Sequence, residues 1–201
     1  GKEPYWRFLL QQHKVQWYDQ IIGNISVDLA SVSDPVFVKE DGQFLYTIAS
    51  VCDDIDFEIT HVIRGSDHVT NTATQIQLLE TMKATIPTYG HHSLLTGLAG
   101  NNLSKRFGSL ALRDLKASGV EPMAIVSMLS ALGSSKAIKI FHSFEEIYND
   151  FHLSSFSSAP TKFDPDLLQK QGQRSEYPLI HCKKKSFWTH QAYQLINKKI
   201  M

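Results

Sequence analysis

Between Tyr5 and Tyr46 short runs of β-branched and aromatic residues are broken by polar turns: Val15-Gln16-Trp17-Tyr18, Ile25-Ser26-Val27, Val36-Phe37-Val38, and then Phe44-Leu45-Tyr46 beyond Asp41-Gly42. Asp-Gly between two such runs is a strong hairpin signal, so residues 1–45 read as a small β-rich region. The pattern then changes. Phe57 to Ile63 reads as a strand ending at Arg64-Gly65, and Asn71 is placed to cap a helix in which Ile76, Leu79 and Met82 recur at helical spacing. Strand, glycine-containing loop and helix make an α/β unit, extended by a short strand from Pro87 to Leu95 and a polar loop from Gly97 to Gly108. Past Gly108 the signals are helical: Leu110 to Ser118 stopped by Gly119, Pro122 to Leu132 stopped by Gly133, a Ser143/Glu146 capping box, and Asp164-Pro165 opening a further helix. The fold class expected is therefore α/β over 46–108 and all-helical over 109–169, with residues 170–201 unassigned.

Composition narrows the class of protein without naming it. At 201 residues and 42% apolar content, the chain is long enough for one large domain or two small ones. No run approaches the roughly 18 to 20 apolar residues that span a bilayer, and the first residues lack the apolar core of a signal peptide, which makes the cytoplasm the default. Cys52 and Cys182 have no CxxC partner and read as reduced thiols. With 20 basic and 20 acidic residues, no overall field drives binding to nucleic acid, so any RNA contact must be local. The start at Gly1, without an initiator Met, reads as a cut made inside a domain.

Two stretches carry candidate chemistry. The loop from Gly100 to Gly108 sets Ser104, Lys105 and Arg106 in succession, a composition suited to a phosphate chain that accumulates charge, or equally to a solvated basic turn. Arg64, at a strand end, reads either as a structural ion-pair partner or as a carboxylate anchor. Two pairs invite a metal reading, Asp53-Asp54 and His91-His92, but neighbours along a strand face opposite ways and no further ligands stand at metal spacing, so no metal site is expected.

Taken in order, these stretches resemble the glutamyl-tRNA synthetases, class I enzymes whose lysine loop is commonly written KMSKS and often appears as K-L-S-K-R. Leu103-Ser104-Lys105-Arg106 matches four of those five positions. Upstream, Pro4 to Phe8, Trp17-Tyr18-Asp19, Asp41-Gly42, Tyr46, Ile59 to Gly65, Asp67-His68, Asn71-Thr72 and Gln75 follow the family order; downstream, Gly119, Leu132-Gly133 and Lys162 to Pro165 continue it. The resemblance implies the second half of a Rossmann-like catalytic domain with a β-rich acceptor-binding insertion, followed by a helical stem-contact domain. It implies that Tyr46, Arg64 and Ser50 hold the substrate glutamate, that Asp67, His68, Leu94, Leu95, Leu103 and Lys105 contact ATP, and that Ser104, Lys105 and Arg106 serve the catalytic loop. ATP would arrive with Mg2+ as substrate, and the partner would be the acceptor end of tRNA.

Several positions depart from the family pattern. Asn102 replaces the first lysine of the loop, which by analogy with deleting one oxyanion donor is worth roughly 3 kcal/mol of transition-state stabilisation. Ser66 replaces an acidic residue, and no H-x-G-H motif of the ATP-binding half occurs. The isolated chain is therefore expected not to aminoacylate tRNA. Two other readings are carried: a glutamyl-queuosine tRNA synthetase paralogue, and a non-catalytic module binding the tRNA acceptor or a protein.

Overall fold

Alternation of buried and exposed side chains builds the first hairpin. The short β1 (Trp6–Arg7) is exposed throughout, and the alternation lies in β2 (Lys14–Asp19), where Val15 and Asp19 are buried, Trp17 is half-buried, and Lys14, Gln16 and Tyr18 face out. β3 (Gly23–Asp28) runs antiparallel to β2, with Lys14 opposite Asp28 and Asp19 opposite Gly23, while β4 (Val36–Val38) pairs antiparallel with β1. The computed structural model describes residues 5–98, 100 and 112–164, and the chain divides into two compact units with the break after His91.

The expected second strand of the Asp41-Gly42 hairpin is corrected by the structure. Phe44 makes a single antiparallel bridge to Val38, and Tyr46 then opens a helix, α1 (Tyr46–Asp56). Ile48, Val51 and Ile55 fall on one face of α1 and pack with Leu78, Leu79 and Phe37, and burial of that stripe overrides the β-branched local composition. Asp53 and Asp54 accordingly sit on a helix rather than a strand. Phe57 and Glu58, read from the sequence as the start of a strand, form the helix exit, with Glu58 at φ 51°, and β5 begins later (His61–Gly65).

A short 3-10 turn, Ser66–His68, leads into α2 (Val69–Thr81). Asn71 is thus inside the helix and not its cap; its Nδ2 lies 3.3 Å from His68 Nδ1, and the preceding turn takes the place of a capping side chain. Every residue of α2 from Thr72 to Leu79 is buried. Its Ala73 and Ile76 join the core of Leu10, Val15, Leu29, Val62 and Tyr89, while Leu78 and Leu79 join the core under α1. Polar side chains of a helix buried all round need partners, and Gln77 meets the need by pairing twice with the Gln11 backbone, accepting from N at 2.8 Å and donating to O at 3.0 Å. β6 (Thr88–His92) pairs with β5, and Gly90 allows the close approach, because a Cβ there would lie 2.8 Å from Ile63 Cδ1.

In the second unit β7 (Leu95–Thr96) is followed by α3 (Leu112–Ala117), α4 (Pro122–Ala131) and α5 (Phe144–Asp150). Pro122 opens α4 and Ser143 caps α5 by accepting from Glu146 N, as expected, although the Glu146 carboxylate reaches back to His142 N and not to Ser143. The segment past residue 109 is not purely helical. β8 (Thr161–Lys162) pairs parallel with β7, and Ser93 Oγ and Thr161 Oγ1 are 2.7 Å apart beside it. Gly133, at φ +85°, passes where a Cβ would sit 2.9 Å from that same Ser93 Oγ, so its lack of a side chain serves both the helix exit and the strand pair. The helix expected at Asp164-Pro165 and the tail from residue 170 lie outside the described residues.

Candidate functional site

The first unit places a buried arginine at the end of β5. Arg64 is 8% exposed, and its side chain is held by residues of three other elements. From α2, Thr72 Oγ1 and Gln75 Oε1 accept both hydrogens of Nη2, the latter at 2.6 Å; the two residues are three apart and so share a helix face. Tyr46, first residue of α1, accepts from Nη1 at 3.4 Å, and His91 of β6 accepts from Nε at 3.5 Å. Behind it the Tyr89 ring lies 5.6 Å from the guanidinium carbon. Among the described residues no carboxylate forms an ion pair with Arg64. The structural ion-pair reading left open by the sequence finds no contacting partner there, although the Asp54 carboxylate acts on Arg64 from beyond contact distance.

Ser50 belongs to the same network: its hydroxyl accepts from Gln75 Nε2 at 2.7 Å and donates to Thr47 O at 3.3 Å. Tyr46 is 54% exposed, and its ring leans on that of His68 at 5.9 Å. Asp67 and His68 follow on the 3-10 turn, 3.9 Å apart, with Asp67 exposed and His68 half-buried. Tyr46, Ser50, Arg64 and His68 are thus brought to one neighbourhood. Leu94 and Leu95 belong to the second unit, where Leu94 is exposed and Leu95 lies in β7. Leu103, Ser104, Lys105 and Arg106 lie outside the described residues, as does Cys182; Cys52 is a free, half-buried thiol.

Sequence reasoning passed over the residues behind Arg64. His91, weighed only as a metal ligand, is fully buried; its Nδ1 lies 2.5 Å from Asp19 Oδ2 and its Nε2 lies 2.8 Å from Thr72 Oγ1. Asp19 is also fully buried, its Oδ1 accepting from the backbone N–H groups of Ile21, Ile22 and His91 at 3.0, 3.1 and 3.0 Å. One signal was present: Asp19 has the same strand parity as Val15 and Trp17, and a carboxylate on the inward face of a strand needs a partner. Among the described residues no group of three His, Cys, Asp or Glu side chains is arranged to hold a metal ion.

Burial alone pushes the Asp19 carboxyl up, but hydrogen bonds from the His91 ring and from the three backbone N–H groups outweigh it and hold the carboxyl at about 2. Its folded value lies below the ordinary 3.8, so the stabilisation is present above about pH 4 and is lost as pH falls through 2. Urea unfolding at about pH 5 and about pH 2.5 is expected to show a loss approaching 2 kcal/mol that Asp19→Asn abolishes. Burial likewise raises the Asp54 carboxyl, opposed by the Arg64 charge and reinforced by Asp53, and it pushes the Tyr89 phenol up to about 12.

This chain is similar over residues 1–170 to the catalytic domain of class I tRNA synthetases (E and Q), a span that extends past residue 109. It is 56% identical over 164 residues to glutamate-tRNA ligase 2 of Cereibacter sphaeroides and 57% identical over 163 residues to glutamate-tRNA ligase 2 of Jannaschia sp.. Those alignments cover 82% and 81% of the chain, which spans 37% and 36% of the two relatives' length. Among solved structures it superposes on the glutamate-tRNA synthetase of Elizabethkingia anophelis with a TM-score of 0.71 at 30% identity, covering 82% of this chain and 37% of that one. A glutamate tRNA ligase of Elizabethkingia meningosepticum, solved in complex with its amino acid, gives the same values. No helix among the described residues is long and apolar enough to cross a membrane. An α/β arrangement, a family match over most of its length and relatives above half identity thus assign the chain to the class I tRNA synthetases of the E and Q type, in their catalytic domain.

Proposed function

We propose that the chain is part of a glutamate-tRNA ligase, supplying the side of the catalytic domain that holds glutamate for ATP-dependent activation and transfer to the acceptor end of tRNA. One observation carries the reading: a buried guanidinium whose contacts among the described residues are a phenol, a hydroxyl, an amide and an imidazole, with no carboxylate in contact. A buried cation with no carboxylate in contact is costly, and a ligand carboxylate would offset that cost. Nη2 is committed to Thr72 and Gln75, so the ligand would meet Nη1 and the Tyr46 hydroxyl, the loosely held and exposed edge.

Ser50 shapes the same pocket through Gln75, and Asp67 and His68 stand where the ATP ribose and adenine would pass, followed along the chain by Leu94 and Leu95. Leu103, Ser104, Lys105 and Arg106 supply the loop that draws the leaving pyrophosphate as the glutamate carboxylate attacks the α-phosphate, with Mg2+ arriving on ATP. Residues 1–45 belong to the acceptor-binding insertion, 46–108 to the second catalytic half and 109–169 to the stem-contact segment in this reading.

ATP-pyrophosphate exchange tests it. Glutamate-dependent exchange is expected when the chain is joined to the N-terminal part of its Cereibacter sphaeroides relative, and not with the chain alone. A folded, joined protein that binds an acceptor stem but gives no exchange would overturn the ligase reading in favour of a non-catalytic tRNA-binding module.

A further inference from the structure

From the groups behind Arg64 we infer that Asp19 and His91 are positioning residues: they fix the protonation pattern that aims the Arg64 guanidinium at a ligand carboxylate. The inference rests on the glutamate reading above for the identity of that carboxylate.

The Asp19 carboxylate on one side of the His91 ring and the Arg64 Nε–H on the other favour one arrangement of protons. Arg64 Nε carries a hydrogen and nothing else, and it points at His91 Nε2 at 3.5 Å. A hydrogen on that ring nitrogen would oppose it, so Nε2 accepts and the ring proton sits on Nδ1. Nδ1 in turn donates to Asp19 Oδ2 at 2.5 Å. The same Nε2 lone pair faces the Thr72 hydroxyl at 2.8 Å, nearer than the His68 carbonyl oxygen that hydroxyl also reaches at 3.2 Å, and the hydroxyl accepts from Arg64 Nη2. Asp19, His91 and Thr72 therefore form a continuous line from a carboxylate to two edges of the guanidinium. All three are shut off from solvent, with exposures of 0%.

What makes Asp19 hard to replace is the division of labour between its oxygens. Oδ1 already accepts three backbone N–H groups, so an amide at this position must keep its oxygen there. Its NH2 would then face His91 Nδ1, which can only accept it, and the ring proton would move to Nε2. There it would oppose the Nε–H of Arg64, in the way that the wrong imidazole tautomer disables a histidine oriented by a carboxylate. The bulk of the side chain would be unchanged, yet the guanidinium would lose its acceptor at Nε, leaving Tyr46, Thr72 and Gln75.

Nitrogen-detected NMR of the chain reads this directly. In the unaltered protein His91 is expected to show a protonated, pyrrole-type Nδ1 and a pyridine-type Nε2, and Arg64 a slowly exchanging Nε–H that shifts as L-glutamate is added. Asp19→Asn is expected to invert the ring pattern, speed Arg64 Nε–H exchange and weaken the response to L-glutamate about tenfold or more. Thr72→Val, a second route should that variant not fold, is expected to weaken it similarly, and Thr72→Ser to restore it. A proton on His91 Nε2 in the unaltered chain overturns the proposal whatever glutamate does. So does a folded Asp19→Asn protein with the unaltered Arg64 signal and glutamate response, the result for a carboxylate that only ties β2 to β6. An Arg64 signal in the unaltered chain that ignores glutamate while His91 shows the stated pattern overturns the glutamate reading instead, so the two failures are told apart.

Discussion

Replacing Arg64 by glutamine is expected to lower affinity for L-glutamate about a hundredfold, equivalent to about 2.7 kcal/mol, while leaving the folded protein no less stable. The two halves of that expectation have different causes. Affinity falls because a charge-assisted contact to a carboxylate is lost and Tyr46 alone remains on the exposed edge. Stability holds because no carboxylate touches the native guanidinium, Asp54 acting on it only through space, and an amide placed against Thr72 and Gln75 removes its desolvation penalty. Calorimetric titration of the ligand and urea unfolding of the free protein measure the halves separately. Equal losses in both would mean that Arg64 is chiefly a structural residue.

Leu79→Ala carries the largest expected cost to the fold. Leu79 is fully buried between α1 and α2 beside Val51, also fully buried, and truncation removes its burial and opens a cavity that two packed helices cannot easily close. A loss of about 3 to 4 kcal/mol follows, read as a fall in the urea midpoint on the order of 2 M. Leu9→Ala is the contrast: at 79% exposed, Leu9 has little burial to lose and its removal should stay within about 0.5 kcal/mol. Since α1 begins at Tyr46 and α2 carries Thr72 and Gln75, Leu79→Ala should also loosen the network around Arg64.

The amino-acid sequence alone determined the strand alternation from Lys14 to Asp19, the glycine stops after α3 and α4, the Ser143 cap and the family order that singled out Tyr46, Ser50 and Arg64. Those are local properties: side-chain parity, backbone conformations that favour glycine, and a hydroxyl three residues from an N–H. Tertiary structure decided the rest. α1 has no side-chain cap and a β-branched composition, so only the cores beneath Ile48, Val51 and Ile55 make it a helix. The Asp41-Gly42 turn is present, yet its second strand ends after one bridge because that helix claims Tyr46. Asp19 and His91 stand 72 positions apart, and Arg64 and His91 27 apart. Nothing in the spacing of buried polar residues names their partners, because a hydrogen bond is satisfied by whichever group the packed chain brings within reach.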